Sequence, residues 1–191
     1  MKVLAVNGSP RPKGNTSIML GWVAEALTKA GVEVEIFQVG GHLIAGCKAC
    51  GICGEKKNRR CVQDQDVINE GIAKMLEADG LILGSPVYFS DMTPELKAFI
   101  DRAGYVSLLN GRLMARKAGA AVVVARRAGH VHTYDSINHF FGISGMFTVG
   151  STYWNLGVGR KEGEVEADDE ARRTMVVLGE NMAWLLGKIS K

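Results

Sequence analysis

Residues 2–17 read KVLAVNGSPRPKGNTS, an apolar run followed by a long loop rich in glycine, proline and hydroxyl groups. The run from Lys2 to Val6 predicts a buried β-strand, and the apolar periodicity after Thr16 predicts a helix. A turn between the two would need only about three or four residues. This loop is longer and gathers hydroxyl groups around an arginine, so the stretch predicts a strand–loop–helix unit whose loop binds an anion.

The rest of the chain repeats this alternation of strand and helix. The predicted strands, most of them near-continuous apolar runs, are Lys2 to Val6, Val34 to Val39, Gly80 to Gly84, Ala118 to Ala125 and Met146 to Val149. The predicted helices are Thr16 to Ala30, Val67 to Ala78, Pro94 to Tyr105, His132 to Gly142 and Asp169 to Lys188. Five strands with crossover helices predict an α/β fold with one doubly wound parallel sheet. Ligands of such sheets bind beyond the carboxyl ends of the strands.

Composition narrows the class of protein. The chain has 191 residues, of which 47% are hydrophobic, and a formal net charge of +3. These values predict a single domain over residues 1–191. The basic residues form no long run, so we expect no nucleic-acid partner. The apolar run at the N-terminus is too short for a signal-peptide core and no segment approaches a membrane span, so we expect no membrane association and a cytoplasmic location.

The loop after the first strand offers the candidate anion ligands. They are Ser9, Arg11, Gly14, Asn15, Thr16 and Ser17. The glycines let backbone approach a ligand closely, and the first amides of the following helix point at the same place. The chain contains neither a Walker A motif nor G-x-G-x-x-G, which argues against a nucleoside triphosphate or a dinucleotide. A phosphate monoester is the expected ligand.

Two further loops are predicted at the same edge of the sheet. The loop after the third strand contains Ser85, Pro86, Val87, Tyr88 and Phe89. It offers an apolar and aromatic wall for a flat heteroaromatic ring, although adjacent aromatics of this kind also serve simply to plug the end of a sheet. The loop after the fourth strand contains Arg126, Arg127 and Gly129. Its charges would balance an anionic ring or a second substrate's phosphates, or else form a solvated basic turn.

All the cysteines of the chain lie in one segment. They are Cys47, Cys50, Cys53 and Cys61. Because cytosolic thiols stay reduced, this spacing favours metal ligation over disulfides. The fourth cysteine is further away than in bacterial ferredoxins, so zinc or an unmetallated loop remain alternatives to a leading [4Fe-4S] hypothesis. Basic residues surround the cysteines and would suit an acidic ferredoxin.

Three stretches together resemble one family: residues 4–16, residues 84–88 and residues 151–155. The chain is similar, over essentially its whole length, to the NAD(P)H-dependent FMN reductase branch of the flavodoxin-like superfamily. Its cysteine pattern resembles the iron-sulfur flavoproteins of that branch. The resemblance implies a flavodoxin-like strand order of 2-1-3-4-5, a cysteine-rich insertion at about residues 46–62, and assembly as a homodimer or homotetramer.

The resemblance also implies cofactors and roles. Ser9, Arg11, Asn15, Thr16 and Ser17 would hold the phosphate of FMN, and Pro86, Val87, Tyr88 and Phe89 would line its isoalloxazine ring. The leading hypothesis is an FMN-dependent oxidoreductase with ferredoxin or NAD(P)H as donor and a [4Fe-4S] cluster as a one-electron port. The alternatives are an NAD(P)H-dependent FMN or quinone reductase without a cluster, a non-enzymatic flavodoxin-like carrier, and a zinc-stabilised binding module that has lost flavin.

Overall fold

The apolar strands pair in parallel into one sheet with helices on both faces, in a computed structural model that describes residues 1–189. The strands are β1 (Lys2–Asn7), β2 (Glu33–Gln38), β3 (Gly80–Pro86), β4 (Ala118–Ala125), β5 (Phe147–Thr148) and β6 (Leu156–Val158). The helices are α1 (Asn15–Lys29), α2 (Ile52–Lys56), α3 (Ile68–Glu77), α4 (Pro94–Leu109), α5 (His130–Ile143) and α6 (Asp169–Ile189). The strand order is β2-β1-β3-β4-β5, so the predicted doubly wound, flavodoxin-like topology is confirmed.

The fifth position of the sheet differs from the prediction. Two short strands fill it: β5 pairs with the beginning of β4, and β6, which the sequence analysis missed, pairs with its end. Between them, residues 150–155 leave the sheet, and the Ser151 hydroxyl donates to the Asn155 side-chain oxygen across 2.7 Å. The interruption brings the residues after β6 to the carboxyl end of β4.

Each face of the sheet has its own apolar core. On β1, Leu4 and Val6 pack with α3, α4 and α5, whereas Val3 and Ala5 pack with α1 and α6. The two sets alternate because successive side chains of a strand point to opposite faces. The residues of β3 and β4 are almost all buried, as the near-continuous apolar runs predicted.

The carboxyl ends of the central strands meet at one edge. Asn7 lies opposite Gly84, and Gly84 lies opposite Val122. The Gly8 amide donates to the Gly84 carbonyl across 2.8 Å, which joins the loop after β1 to β3. The sheet therefore positions the loops after β1, β3, β4 and β6 around a common edge, where ligands of doubly wound folds bind. Within residues 1–189, no helix combines the length and the apolar character needed to cross a membrane.

Candidate functional site

A cavity of about 180 Å³, the edge pocket, opens at this edge of the sheet. Most of the predicted anion and ring ligands line it: Ser9, Arg11, Gly14, Asn15, Thr16, Pro86, Val87, Tyr88 and Arg126. Four residues outside the predicted set complete the lining: Val124, Ala125, Gly159 and Arg160. The three predicted loops therefore meet in one place. The loop after β1 contributes hydroxyl and guanidinium groups, and the loop after β3 contributes apolar and aromatic groups.

The beginning of α1 provides the anion end of the edge pocket. Gly14 is the N-cap and contributes no side-chain hydrogen bond, and the first turn contains no acidic residue. The backbone amides of Asn15, Thr16 and Ser17 have no partner within the helix, because such partners first arise in the second turn. The Ser9 hydroxyl oxygen accepts a hydrogen bond from the Arg11 amide across 3.2 Å, so its own proton is available to a ligand. An uncapped helix start of this kind suits a phosphate.

Asn15 holds the loop that follows β6. Its side-chain amide donates to the Lys161 carbonyl across 2.8 Å, and its oxygen accepts from the Val165 amide across 3.4 Å. A Cβ atom on Gly159 would lie only 2.6 Å from the same amide nitrogen. The Asn15 side chain is therefore committed to this loop, whereas the resemblance gave it to the phosphate of FMN.

Five of the predicted residues do not line the edge pocket: Ser17, Ser85, Phe89, Arg127 and Gly129. Ser85 is fully buried, donates its hydroxyl proton to the Pro86 carbonyl across 2.8 Å and accepts from the Thr93 amide across 3.1 Å. Thr93 in turn donates to the Gly8 carbonyl across 2.7 Å. Ser85 thus shapes the loop after β3 and contacts no ligand space, while Ser17 lies half-buried on α1.

A second cavity of about 290 Å³, the side cavity, adjoins the edge pocket through Val87 and Arg126. Phe89 and Arg127 line only the side cavity, and Phe89 is fully exposed. Phe89 and Ser90 both have left-handed backbone, with φ of 48° and 68°, at the tip of a tight turn closed by Tyr88 and Asp91. Such strain in residues other than glycine concentrates at ligand sites.

Gly129 has a structural role in the loop after β4. It is the N-cap of α5 with φ of 92°, and a Cβ atom there would lie 2.8 Å from a methyl group of Val87. Only glycine meets both demands without strain, so Gly129 permits the loops after β3 and β4 to pack together.

Gly159 and Arg160 line the edge pocket but were not predicted from the sequence. They follow β6, and a strand this short is difficult to recognise from its apolar pattern. The available signal was the pair Gly157 and Gly159 around one valine, directly before two basic residues. Arg160 adds a third guanidinium group to the edge pocket, in addition to Arg11 and Arg126.

The four cysteines lie together but away from the edge pocket. All four thiols are free, and they line one small concavity of about 10 Å³, the thiol pocket. Cys47 and Cys50 are exposed, whereas Cys53 is buried. The thiol pocket shares no lining residue with the edge pocket. Within residues 1–189, no three His, Cys, Asp or Glu side chains are arranged closely enough to hold a metal ion as they stand.

Three polar side chains that the sequence analysis did not single out hold the cysteine loop, which we define as residues 45–63. Asn69 accepts from the Cys61 amide across 2.8 Å and donates to the Cys61 carbonyl across 2.9 Å. Asn110 donates to the Cys53 carbonyl across 3.1 Å. The third, Arg102, lies buried beside the thiol pocket.

Charge and burial around the thiol pocket shift two pKa values. Burial raises the pKa of the Cys53 thiol. For Arg102, burial acts to lower the pKa, but the hydrogen bond to Asp66 and the nearby Cys61 more than compensate, so that its pKa is raised. Arg102 therefore stays a buried cation next to the thiols. Four reduced thiols line one concavity, and the guanidinium group of Arg102 lies beside them. This set of groups is chemically suited to a thiolate-bound metal centre. To hold a metal centre the thiols would have to rearrange, because they are not grouped as metal ligands in this arrangement.

Comparison with known proteins identifies the family. Residues 1–161 match the family model described as NADPH-dependent FMN reductase. The chain is 35% identical to an iron-sulfur flavoprotein of Methanocaldococcus jannaschii over all of both chains. It is 36% identical to an iron-sulfur flavoprotein of Methanosarcina thermophila over 78% of both chains. Among solved structures, a flavodoxin-like WrbA-like protein from Agrobacterium tumefaciens superimposes with a TM-score of 0.69 at 16% identity, over 98% of both chains, which supports the fold alone.

These matches cover most or all of the chain and agree with the pocket at the sheet edge. The chain therefore belongs to the NADPH-dependent FMN reductase family and is an FMN-dependent oxidoreductase related to the iron-sulfur flavoproteins.

Proposed function

We propose that the protein passes electrons from NAD(P)H or a reduced ferredoxin to an acceptor, using FMN in the edge pocket and a [4Fe-4S] cluster on Cys47, Cys50, Cys53 and Cys61. The observation that carries this proposal is the edge pocket itself. There an uncapped helix start with hydroxyl and guanidinium groups adjoins an apolar, aromatic wall. FMN has the same division, with an anionic phosphate at one end and a flat apolar ring at the other.

At the phosphate end, the free amides at the start of α1 would donate to phosphate oxygens. Ser9 and Thr16 would add hydroxyl donors, and Arg11 and Arg160 would balance the charge. Ser9 and Thr16 are buried, so these donors are already desolvated and fixed before the ligand arrives. Asn15 would contact the phosphate through its backbone amide and not through its side chain, because the side-chain amide holds the loop after β6.

At the ring end, Pro86, Val87 and Tyr88 would form the wall against the isoalloxazine. The Val87 amide donates to the Val124 carbonyl and the Tyr88 amide donates to the Asp91 carbonyl, so these amides shape the wall and are not free for the ring. Arg126 would place positive charge near the ring and favour its anionic, reduced form. When bound, FMN supplies both one-electron and two-electron chemistry.

The thiol pocket would hold the cluster through its four cysteines, and such a cluster supplies one-electron transfer when bound. Support comes from the four free thiols around one concavity and from relatives whose names state an iron-sulfur flavoprotein. Free thiols are also what a cytoplasmic location predicts, since reducing compartments keep cysteines unpaired.

The electron donor would meet one of two surfaces. The side cavity, with Arg126, Arg127 and Phe89, offers charge and an aromatic face to the phosphates and ring of NAD(P)H. Exposed basic residues near the thiols offer a surface for an acidic ferredoxin: Lys48, Lys56, Lys57, Arg59 and Arg60. Assembly as a homodimer or homotetramer is supported by large apolar side chains that remain exposed, among them Trp154, Trp184 and Ile143.

Visible absorption of the anaerobically purified protein tests the proposal. Flavin bands with a broad shoulder from iron-sulfur charge transfer are expected. Flavin bands without the shoulder would favour the reductase without a cluster, and a colourless protein would contradict both. Adding NADH, NADPH or reduced ferredoxin in turn identifies the donor by which one bleaches the flavin.

Paired variants test the two sites separately. Cys50→Ala should remove the cluster absorbance and leave FMN bound. Arg11→Ala combined with Thr16→Val should weaken FMN binding and leave the cluster. Lys13→Ala is the matched control for Arg11, because Lys13 belongs to the same loop but does not line the edge pocket. Loss of both centres from either change would contradict the assignment of two separate sites.

A further inference from the structure

Arg102 joins the two ends of the cysteine loop. It projects from α4, and its side chain is fully buried. One terminal nitrogen donates to the Ala45 carbonyl across 3.2 Å, and the other donates to the Gln63 carbonyl across 2.6 Å. Ala45 precedes the first cysteine and Gln63 follows the last, so a single guanidinium group closes the whole segment that carries the thiols. Asp66 forms an ion pair with the same group and balances its charge.

One donor of this guanidinium group has no acceptor. The Nε atom of Arg102 is buried and has no hydrogen-bond partner within residues 1–189. A buried donor without a partner is costly and uncommon, and it calls for an explanation. Arg102 lines the thiol pocket together with all four cysteines. The thiols, among which Cys61 is close enough to raise the pKa of Arg102, are therefore the nearest candidates for the missing acceptor.

A purely structural role does not account for this arrangement. The backbone of Cys61 is already held at both its amide and its carbonyl by Asn69, and the Cys53 carbonyl is held by Asn110. Closing the loop needs only the two terminal nitrogens of Arg102 and the charge of Asp66. The Nε donor is additional, and lysine, which lacks the planar fork, could not present donors in three fixed directions.

We propose that Arg102 is the positioning residue of the thiolate-bound metal centre, which closes the cysteine loop and donates its Nε proton to a sulfur atom of that centre. The inference rests on the proposed function, since it assigns a role toward the metal centre. A hydrogen bond to a metal-bound sulfur stabilises the more negative, reduced form of a cluster. Arg102 thus raises both the affinity for the metal and the reduction potential of the cluster.

The test uses Co²⁺ as the probe and the metal-free full chain. Co²⁺ bound by thiolates is followed by its sulfur-to-metal charge-transfer absorption. Arg102→Lys keeps the positive charge but removes both the Nε donor and the planar fork that closes the cysteine loop, the two parts of the proposed role. We expect its affinity for Co²⁺ to fall at least tenfold, with FMN affinity unchanged within twofold. In the reconstituted protein, the same variant should lower the reduction potential of the cluster.

Two further variants guard against a simple loss of stability. Lys117→Met is the matched control, because Lys117 is a half-buried cation that also donates to backbone carbonyls, those of Met75, Leu76 and Ala78, away from the thiol pocket. It should destabilise the protein and leave Co²⁺ affinity unchanged. Should Arg102→Lys fail to fold, the uncharged pair Arg102→Gln with Asp66→Asn replaces it, with the same expected loss of Co²⁺ affinity and retained FMN binding.

The outcomes separate this inference from the proposed function. If Arg102→Lys keeps the wild-type affinity for Co²⁺ and the wild-type reduction potential of the cluster, the role of Arg102 is overturned. The proposed role of the cluster in electron transfer would still stand. An equal loss of Co²⁺ affinity in Lys117→Met would also overturn the role of Arg102, because the effect would then follow stability alone. A third outcome is that Arg102→Lys weakens Co²⁺ binding while the wild-type protein assembles no iron-sulfur cluster. This would support the positioning role of Arg102 and overturn the proposed [4Fe-4S] cluster.

Discussion

Thr93→Val should separate the two loops that build the edge pocket. The Thr93 hydroxyl is fully buried, donates to the Gly8 carbonyl across 2.7 Å and accepts from the Leu96 amide across 3.4 Å as the N-cap of α4. Valine has nearly the same shape but neither donates nor accepts. The substitution therefore leaves the buried Gly8 carbonyl without this donor and α4 without its cap.

The size of the effect follows from these two losses. A buried carbonyl left without a hydrogen bond costs about 1–3 kcal/mol. Loss of an N-cap costs about 1 kcal/mol. We therefore expect the free energy of unfolding to fall by about 2–4 kcal/mol, and Tm to fall by about 2–4 °C for each kcal/mol in a chain of this size. FMN affinity should fall as well, because Gly8 and Ser9 are adjacent in the loop that lines the phosphate end.

Urea unfolding of the flavin-free protein, followed by circular dichroism, measures the stability, and quenching of flavin fluorescence measures the affinity. Thr93→Ser is the control: it keeps the hydroxyl, loses one methyl group, and should cost only about 1 kcal/mol. A Thr93→Val variant as stable as the wild type, or a Thr93→Ser variant as unstable as Thr93→Val, would show that the two hydrogen bonds of the hydroxyl do not stabilise the fold as we expect.

Three other predictions concern separate parts of the fold. Lys117→Met removes the half-buried cation that donates to the last carbonyls of α3, and it should lower the free energy of unfolding by about 1–3 kcal/mol in urea titrations. Unchanged stability would contradict its role as a cap. Burial lowers the pKa of His130 below its usual value of 6.5. As the pH falls, the unfolded chain therefore binds a proton at this histidine at a higher pH than the folded chain does. The free energy of unfolding should decrease as the pH falls through and below 6.5. In His130→Gln this decrease should be smaller, and equal pH profiles of urea unfolding would contradict the assignment. Gly159→Val places a side chain 2.6 Å from the Asn15 amide and should weaken FMN binding about tenfold or more, or about 1.4 kcal/mol; Co²⁺ binding at the thiols should not change.

The sequence predicted the sheet well because its strands are simple. Apolar runs such as the one in β4 are buried on both faces, and loops at their carboxyl ends must meet at one edge. The same reasoning brought Thr16, Tyr88 and Arg126 into one pocket. It could not find β6, because three residues that pair only with the end of β4 carry too little pattern.

Side-chain roles were less accessible from the sequence. Serine and asparagine often contact ligands, but the side chains of Ser85 and Asn15 form hydrogen bonds within the protein. Ser85 accepts from the Thr93 amide, and Asn15 donates to the loop after β6. Arg102 stands in the middle of an amphipathic helix, where an arginine normally predicts solvent exposure. Only the three-dimensional structure shows that the cysteine loop folds over it and buries it completely.

The proposed electron transfer through FMN and a cluster is tested most directly by the ratio of iron, acid-labile sulfide, zinc and FMN to protein after anaerobic purification. We expect one FMN with about four iron atoms and about four sulfides per chain, and no stoichiometric zinc. In Cys50→Ala, iron and sulfide should be lost while FMN is retained. One zinc per chain without sulfide, or FMN with neither metal nor sulfide, would contradict the proposed electron port on the cysteine loop.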